Sequence, residues 1–345
     1  MSSQEVKESL TEEEAAKIAA RPFGTSAIAR NSGLVVALVL LCIVGFITGG
    51  ERFAAVSNVM TILGLGATIG VISIGMTFVI TGGGIDLSVG AVMALASVWA
   101  TTVSTQVMAN DTHWMLLVVV AVLVGAVCGF LNGIMVSFGK IVPFIATLAM
   151  MASARGLAEI IADRKTQRIE YVPDFLDNVR GNFLGIPRLV WIFVFVAVVG
   201  WFVLNRTTFG RRTVAVGGNP EAARLAGINV KRHTVWLYTL AGSTAGIGAV
   251  MLMARTTTGN STHGVMAELD AIAAVVIGGT LLSGGRGTIV GTVFGVVIFS
   301  TLSNVFILNN LSSSAQAVTK GLIIVIAVLL QQHIAERGVR RQVST

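Results

Sequence analysis

NVMTILGLGATIGVISIGMTFVIT, residues 58–81, runs from Asn58 to Thr81 without one charged side chain. At about 1.5 Å per residue, a helix of this length crosses the roughly 30 Å hydrocarbon core of a bilayer. Reading outward from it, further apolar runs lie near 33–49, 88–108, 115–137, 142–162, 189–205, 233–254, 267–283, 288–309 and 318–333, ten in all. The run at 267–283 is short and interrupted by glycine, as a broken or re-entrant helix would be. Hydrophobic residues make up 54% and charged residues 12% of the 345-residue chain, against about 25% charged in soluble proteins. With a mean hydropathy of +0.82, the apolar surface exceeds what one soluble core buries. Only helices and closed barrels satisfy their backbone polar groups in lipid. The fold class expected is therefore an all-α polytopic membrane protein of about ten spans.

Charge sets the expected orientation. Basic residues gather in 1–32, 206–232 and 335–345, which face the same side if ten spans alternate. Arg164, Lys165, Arg168, Arg180 and Arg188 fall on the other side, in a long connection where Asp163, Glu170, Asp174 and Asp177 offset them. The positive-inside rule then places both termini in the cytoplasm. The expected organisation is a cytoplasmic extension, 1–32, a membrane domain, 33–334, with a cytoplasmic loop at 206–232, and a tail, 335–345. Thr11 and Glu14 form a capping box for a short surface helix ending before Pro22. The acidic leading stretch does not read as a cleaved signal, so the first apolar run is read as a span. The net charge of +7 follows loop composition, and nucleic acid is not expected as a partner. Cys42 and Cys128 sit inside apolar runs and read as small core residues.

Two glycine-rich breaks resemble each other. Thr81-Gly82-Gly83-Gly84-Ile85-Asp86-Leu87-Ser88-Val89-Gly90 joins the second and third spans, and Ser283-Gly284-Gly285-Arg286-Gly287-Thr288-Ile289-Val290-Gly291 joins the eighth and ninth. Each is a glycine hinge followed by a small polar residue, an aliphatic residue and Gly. Paired interruptions in two halves are a transporter signature, although glycine-rich membrane sequences also resemble one another by chance.

The loop 205–233 contains Asn219-Pro220-Glu221-Ala222-Ala223-Arg224-Leu225-Ala226-Gly227. Asn219 is a good N-cap, Pro220 suits the first helical position, Glu221 sits at the positive end and Gly227 suits the stop. A two-turn helix standing alone in the loop is expected, with Ala222, Leu225 and Ala226 on one small apolar face. So short a helix needs a surface to pack on: either its own membrane domain or a partner's groove.

Glu221-Ala222-Ala223, three further residues and then Gly227 resemble the EAA loop of the membrane subunits of bacterial ABC importers. The hinge Gly83–Gly90, the segment Phe144–Leu148, Ala154-Arg155-Gly156 and the run Glu268–Thr280 resemble signatures of the ribose/galactose/xylose branch of those permeases. The resemblance extends from about residue 50 to 330. It implies a subunit of the bacterial inner membrane that translocates a monosaccharide, ribose first, with xylose, galactose or allose as alternatives. It also implies an ATPase partner that binds ATP and Mg, an extracytoplasmic sugar-binding protein and a second copy of the chain. Asn219, Pro220, Glu221, Ala222, Ala223, Arg224, Leu225 and Gly227 would couple to the ATPase. Gly83, Gly84, Asp86, Ser88, Gly90, Gly284, Gly285 and Arg286 would be hinges near the path. The acidic extension and the long outer connection depart from the pattern.

Charges within spans are costly and usually paired or functional. Arg155 and Glu159, four apart, are read as a self-neutralised pair or as lining of the path. Asp86 is expected to cap free N–H groups, with direct sugar contact the alternative. Glu268 and Asp270 suit the start of a helix, and Lys320 can snorkel. His113, His233, His263 and His333 lack metal-ligand spacing, no cofactor is expected in the chain itself, and no phosphate-binding loop is present. A transport subunit rather than an enzyme is expected. A proton- or sodium-driven secondary transporter is the competing class, but it usually carries a lone carboxylate at mid-membrane.

Overall fold

The apolar runs fold as helices. The computed structural model describes residues 23–323 together with 325, 326 and 329, with side chains from residue 32 onward. The helix expected over Thr11–Ala20 lies outside the described residues. The helices are α1 (Phe23–Gly49), α2 (Glu51–Ala54), α3 (Val56–Thr81), α4 (Val89–Ala100), α5 (Val103–Asp111), α6 (Met115–Ser137) and α7 (Pro143–Ala162). After β1 (Gln167–Arg168), α8 (Pro173–Val179), β2 (Asn182–Phe183) and β3 (Ile186–Pro187) come α9 (Arg188–Arg206), α10 (Thr208–Gly218), α11 (Pro220–Leu225) and α12 (Val230–Thr256). β4 (Thr258–Gly259), α13 (Ala267–Ile277) and α14 (Ile289–Leu308) follow, and residues 313–323 are again helical. Among the described residues, 7 helices are long and apolar enough to cross a membrane, or 8 if one bent pair is a single span.

Two expectations change, and a third, the broken helix over 267–283, is met. The run 88–108 is not one straight helix: α4 and α5 meet at 59°. Thr102 Oγ1 accepts the Thr105 N–H at 3.3 Å, starting a new helix, while Gln106 Nε2 donates to the Thr101 carbonyl at 2.8 Å. The backbone of the old helix thus loses its continuation to side chains. The run 267–283 yields only the half-length α13, followed by an irregular segment to Thr288. The helix of the 205–233 loop does not stand alone, because α10 precedes it. Thr207 caps α10 by accepting the Gly210 N–H at 3.3 Å.

α3 lies at the centre, packed against α9, α12, α13 and α14, and its residues from Gly66 to Thr81 are almost all buried. This accounts for a run that is apolar on every side. α1 packs mainly on α14 and otherwise faces outward. α6 and α12 lie backbone to backbone. A Cβ on Gly125 would stand 2.8 Å from Gly246 N, and one on Gly133 2.6 Å from Val235 Cα. Small residues four apart allow this approach, which is how dispersion replaces the hydrophobic effect inside lipid. α12 also defines two ends of the molecule. Its first turn adjoins α11, and its last leads into β4, which pairs with β1 of the 163–188 connection (Gln167 opposite Gly259).

Candidate functional site: the α11 loop and the glycine junction

α11 is held at both ends by its own sequence. Asn219 Oδ1 accepts the Ala222 N–H at 3.0 Å, and Pro220 occupies the first turn, where its missing N–H is not needed. At the other end Gly227 adopts φ +83°. Its N–H donates to Arg224 O at 3.0 Å, and the Ile228 N–H donates to Ala223 O at 3.0 Å. These two bonds form a Schellman stop, which calls for glycine at the left-handed position. Asn229 then caps α12 by accepting the Arg232 N–H at 3.0 Å. Ala223 is buried, whereas Ala222, Leu225 and Ala226 are exposed, Leu225 by 79%. The helix seats one alanine on its own chain and presents its leucine outward. The Glu221–Arg224 ion pair, 3.0 Å, is exposed as well.

α10 carries this helix into the bundle. Thr213 Oγ1 and His233 Nε2 are 2.9 Å apart, and the Phe209 and His233 rings lie 4.6 Å between centroids, so α10 is fixed to the first turn of α12. The C-terminal end of α10 meets both glycine hinges. Gly285 N–H donates to Thr81 O at 2.9 Å. A Cβ on Gly217 would lie 2.6 Å from Gly285 N and closer still to Thr81 O. A Cβ on Gly284 would lie 2.7 Å from Gly217 O and 2.8 Å from Gly83 Cα. Real side-chain carbons do not approach so near, so three chain segments touch here through bare backbone. The junction joins the end of α3, the α13–α14 connection and the residues just before Asn219. Arg286 is exposed beside it, its carbonyl accepting the Leu281 N–H at 3.0 Å. A cavity of about 140 Å3 adjoins the junction, bordered by Gly83, Gly84, Pro220 and Tyr238.

The remaining hinge residues form a buried knot. Asp86, 1% exposed, accepts the Ser88 N–H at 2.8 Å and the Ser88 hydroxyl at 2.6 Å. Asn132 of α6 donates to Ser88 Oγ at 2.9 Å. Asp86 thus fixes Ser88, the residue before α4, rather than capping the N–H groups of the helix itself as expected. Gly90, in the first turn of α4, abuts Gly264 and Glu268. Arg155 and Glu159 do not bond to each other. Arg155 Nη1 donates to the carbonyls of Ser261 and, at 2.8 Å, His263, while Glu159 pairs with Arg164 at 3.2 Å. The guanidinium fork finds two carbonyls of the irregular 260–266 segment that its neighbour in sequence does not offer. His263 Nδ1 lies 3.1 Å from Ser97 Oγ, and burial, with the Arg155 charge second, pushes its pKa down to about 4. Its part in this cluster escapes sequence reading, because nothing local marks it. Lys320 does more than snorkel: its Nζ donates to both Asp270 oxygens, at 3.1 and 2.9 Å.

The chain is similar to known proteins over nearly its whole length. A family model described as "Branched-chain amino acid transport system / permease component" matches residues 58–329. "Ribose import permease protein RbsC" of Bacillus subtilis is 42% identical over 301 residues, covering 87% of this chain and 91% of that protein. The protein of the same name from Haemophilus influenzae is 36% identical, covering 87% and 92%. "L-arabinose transport system permease protein AraH" of Escherichia coli is 38% identical, covering 78% and 82%. No solved structure matches the chain by the same standard.

Proposed function

The chain belongs to the family of membrane permeases described as branched-chain amino acid transport system / permease components, and on that premise we propose that it is the permease subunit of an ATP-binding-cassette importer for a monosaccharide, ribose first. The family description names amino acids. The sugar reading rests on the relatives, whose names specify ribose and L-arabinose. The observation that carries the importer reading is α11: a capped helix with Leu225 outward, followed back through α10 to a junction of both hinges. A separate ATPase seated on α11 would move the ends of α3 and α14 together. An extracytoplasmic binding protein would meet the opposite end, where the 163–188 connection lies. Ten spans with both termini in the cytoplasm are our reading of the apolar runs and basic loops, and among the described residues 7 or 8 helices are long and apolar enough to serve as spans. A second copy would complete the path, with closed two-fold symmetry the simplest assembly. The bacterial inner membrane is the place such a subunit works.

The test is uptake of labelled ribose by proteoliposomes holding the permease, its ATPase and its binding protein. Uptake should require ATP inside the cytoplasmic face and persist when proton and sodium gradients are collapsed. Uptake that follows either gradient and ignores ATP would overturn the reading. L-arabinose, xylose and galactose measured beside ribose settle the sugar.

A further inference from the structure

At the end of the bundle away from α11, α3, α12, α13, α14 and residues 313–323 surround a cavity of about 290 Å3. That volume is at the low end of small-molecule sites, roughly 300–1,000 Å3, and suits a monosaccharide. Its wall carries Thr68 of α3, 4% exposed, whose hydroxyl has no hydrogen-bond partner among the described residues. This is unusual for its own helix. Ser73, Thr77 and Thr81 each donate to the carbonyl four residues back, as helical hydroxyls commonly do. Opposite stands Ser300 of α14, 6% exposed, also without a hydrogen bond among the described residues, although Thr301 and Ser303 beside it have theirs. Gly66 makes room for it: a Cβ there would lie 2.7 Å from Ser300 Oγ.

The other polar groups supply complementary chemistry. Asp270 and Lys320 face the cavity as a neutral pair, 18% and 20% exposed. Gln316 Nε2 donates to Leu311 O at 2.9 Å, leaving its carbonyl oxygen to accept. The first turn of α13 also borders the space, and its positive end already carries the carboxylates of Glu268 and Asp270. Two free hydroxyls that donate or accept as required, the Asp270–Lys320 pair and the guanidinium of Arg255 also on the wall give a set of donors and acceptors that suits a molecule rich in hydroxyls. A small cation would meet Lys320 and Arg255.

We propose that this cavity holds a monosaccharide on its way through the permease, with Thr68 and Ser300 as its hydroxyl contacts. The proposal rests on the sugar-permease reading above. Asp270 and Lys320 already satisfy each other, so a sugar exchanges bonds there rather than adding them, and the site binds weakly, as a transit site must.

The test uses the complete transporter in proteoliposomes, with Cys42→Ala and Cys128→Ala removing the native thiols. Ser300→Cys is alkylated by a small maleimide with and without the sugar that the wild-type complex takes up. Thr61→Cys, on the exposed side of α3, is the control. The sugar should slow alkylation of Ser300→Cys by about threefold to tenfold, saturably, and leave Thr61→Cys unchanged. Thr68→Val, nearly isosteric, should raise thermal stability, because it removes an unsatisfied hydroxyl, and lower uptake by about threefold to tenfold. Those opposite signs would not arise from a merely structural threonine. Unprotected Ser300→Cys together with full uptake by Thr68→Val, in a complex whose wild type transports sugar, would overturn the site alone. A wild-type complex that takes up no monosaccharide would overturn the functional reading and the site with it.

Discussion

α3 serves two ends of the molecule that are built on opposite plans. At Thr81 the helix ends in a close contact of glycine backbones, where every hydroxyl on its last two turns is hydrogen-bonded and no side chain separates it from Gly217 or Gly285. About 20 Å back along the same helix, Thr68 meets a cavity with its hydroxyl unpartnered. Close-packed backbone transmits displacement with little loss, because nothing soft lies between the segments. Unpaired polar groups around a void do the reverse: they leave bonds for a ligand to make. The Thr77–Thr292 hydroxyl contact, 2.7 Å, and the paired amides of Asn58 and Asn304, 3.1 and 2.8 Å, tie α3 to α14 near each end. A movement started at the junction would thereby reach both walls of the cavity together.

The largest effect expected is at the junction. Gly217→Ala places a methyl group against Thr81 O, which has no free side chain to swing aside. Overpacking of this kind costs about 1–3 kcal/mol or more, and ribose uptake should fall to background with a clear drop in thermal stability. Normal uptake by Gly217→Ala would show that the junction is loose and break the contrast.

At the other end, Asp270→Asn leaves Lys320 without its counter-ion. The pair is about one-fifth exposed, so the loss should be smaller than for a fully buried pair, about 1–3 kcal/mol. Adding Lys320→Gln should recover part of it, and a double-mutant cycle on thermal unfolding measures the coupling. Additive effects would mean that the pair does not hold α13 to residues 313–323.

A smaller effect separates conformation from contact. Gly227 has positive φ, but a Cβ there would touch nothing. Gly227→Val should therefore cost only the left-handed strain, about 1–2 kcal/mol, and lower uptake through misplacement of α11 while the membrane domain stays folded. The smallest effect is at the exposed Glu221–Arg224 pair. Glu221→Gln should change thermal stability by no more than about 0.5 kcal/mol.

Much of this architecture is legible in the residues themselves. Long uncharged runs mark membrane helices because lipid leaves the backbone no other solution. Asn219, Pro220 and Gly227 mark both ends of α11 because capping is local chemistry. What escaped the sequence depends on distant partners. The bend between α4 and α5 sits at a Thr-Thr pair, Thr101 and Thr102, rather than at proline or glycine, and Thr102 as an N-cap is the signal that would have revealed it. The i, i+4 spacing of Arg155 and Glu159 predicts a pair, but the 260–266 carbonyls fold closer to the guanidinium. The similarity of the two glycine hinges gives no hint that they touch. α10, which brings Gly217 between them, is too polar and glycine-rich to stand out in the loop.

α11 is proposed to receive an ATPase and to pass its movement to the junction. Leu225→Asp tests it most directly, because Leu225 is 79% exposed and contributes nothing to the core. Co-purification of the ATPase with the variant, measured beside thermal stability and sugar uptake, gives the answer. Unchanged stability in the membrane, loss of the bound ATPase and loss of uptake are expected. A variant that keeps its ATPase and transports normally would contradict that role of α11.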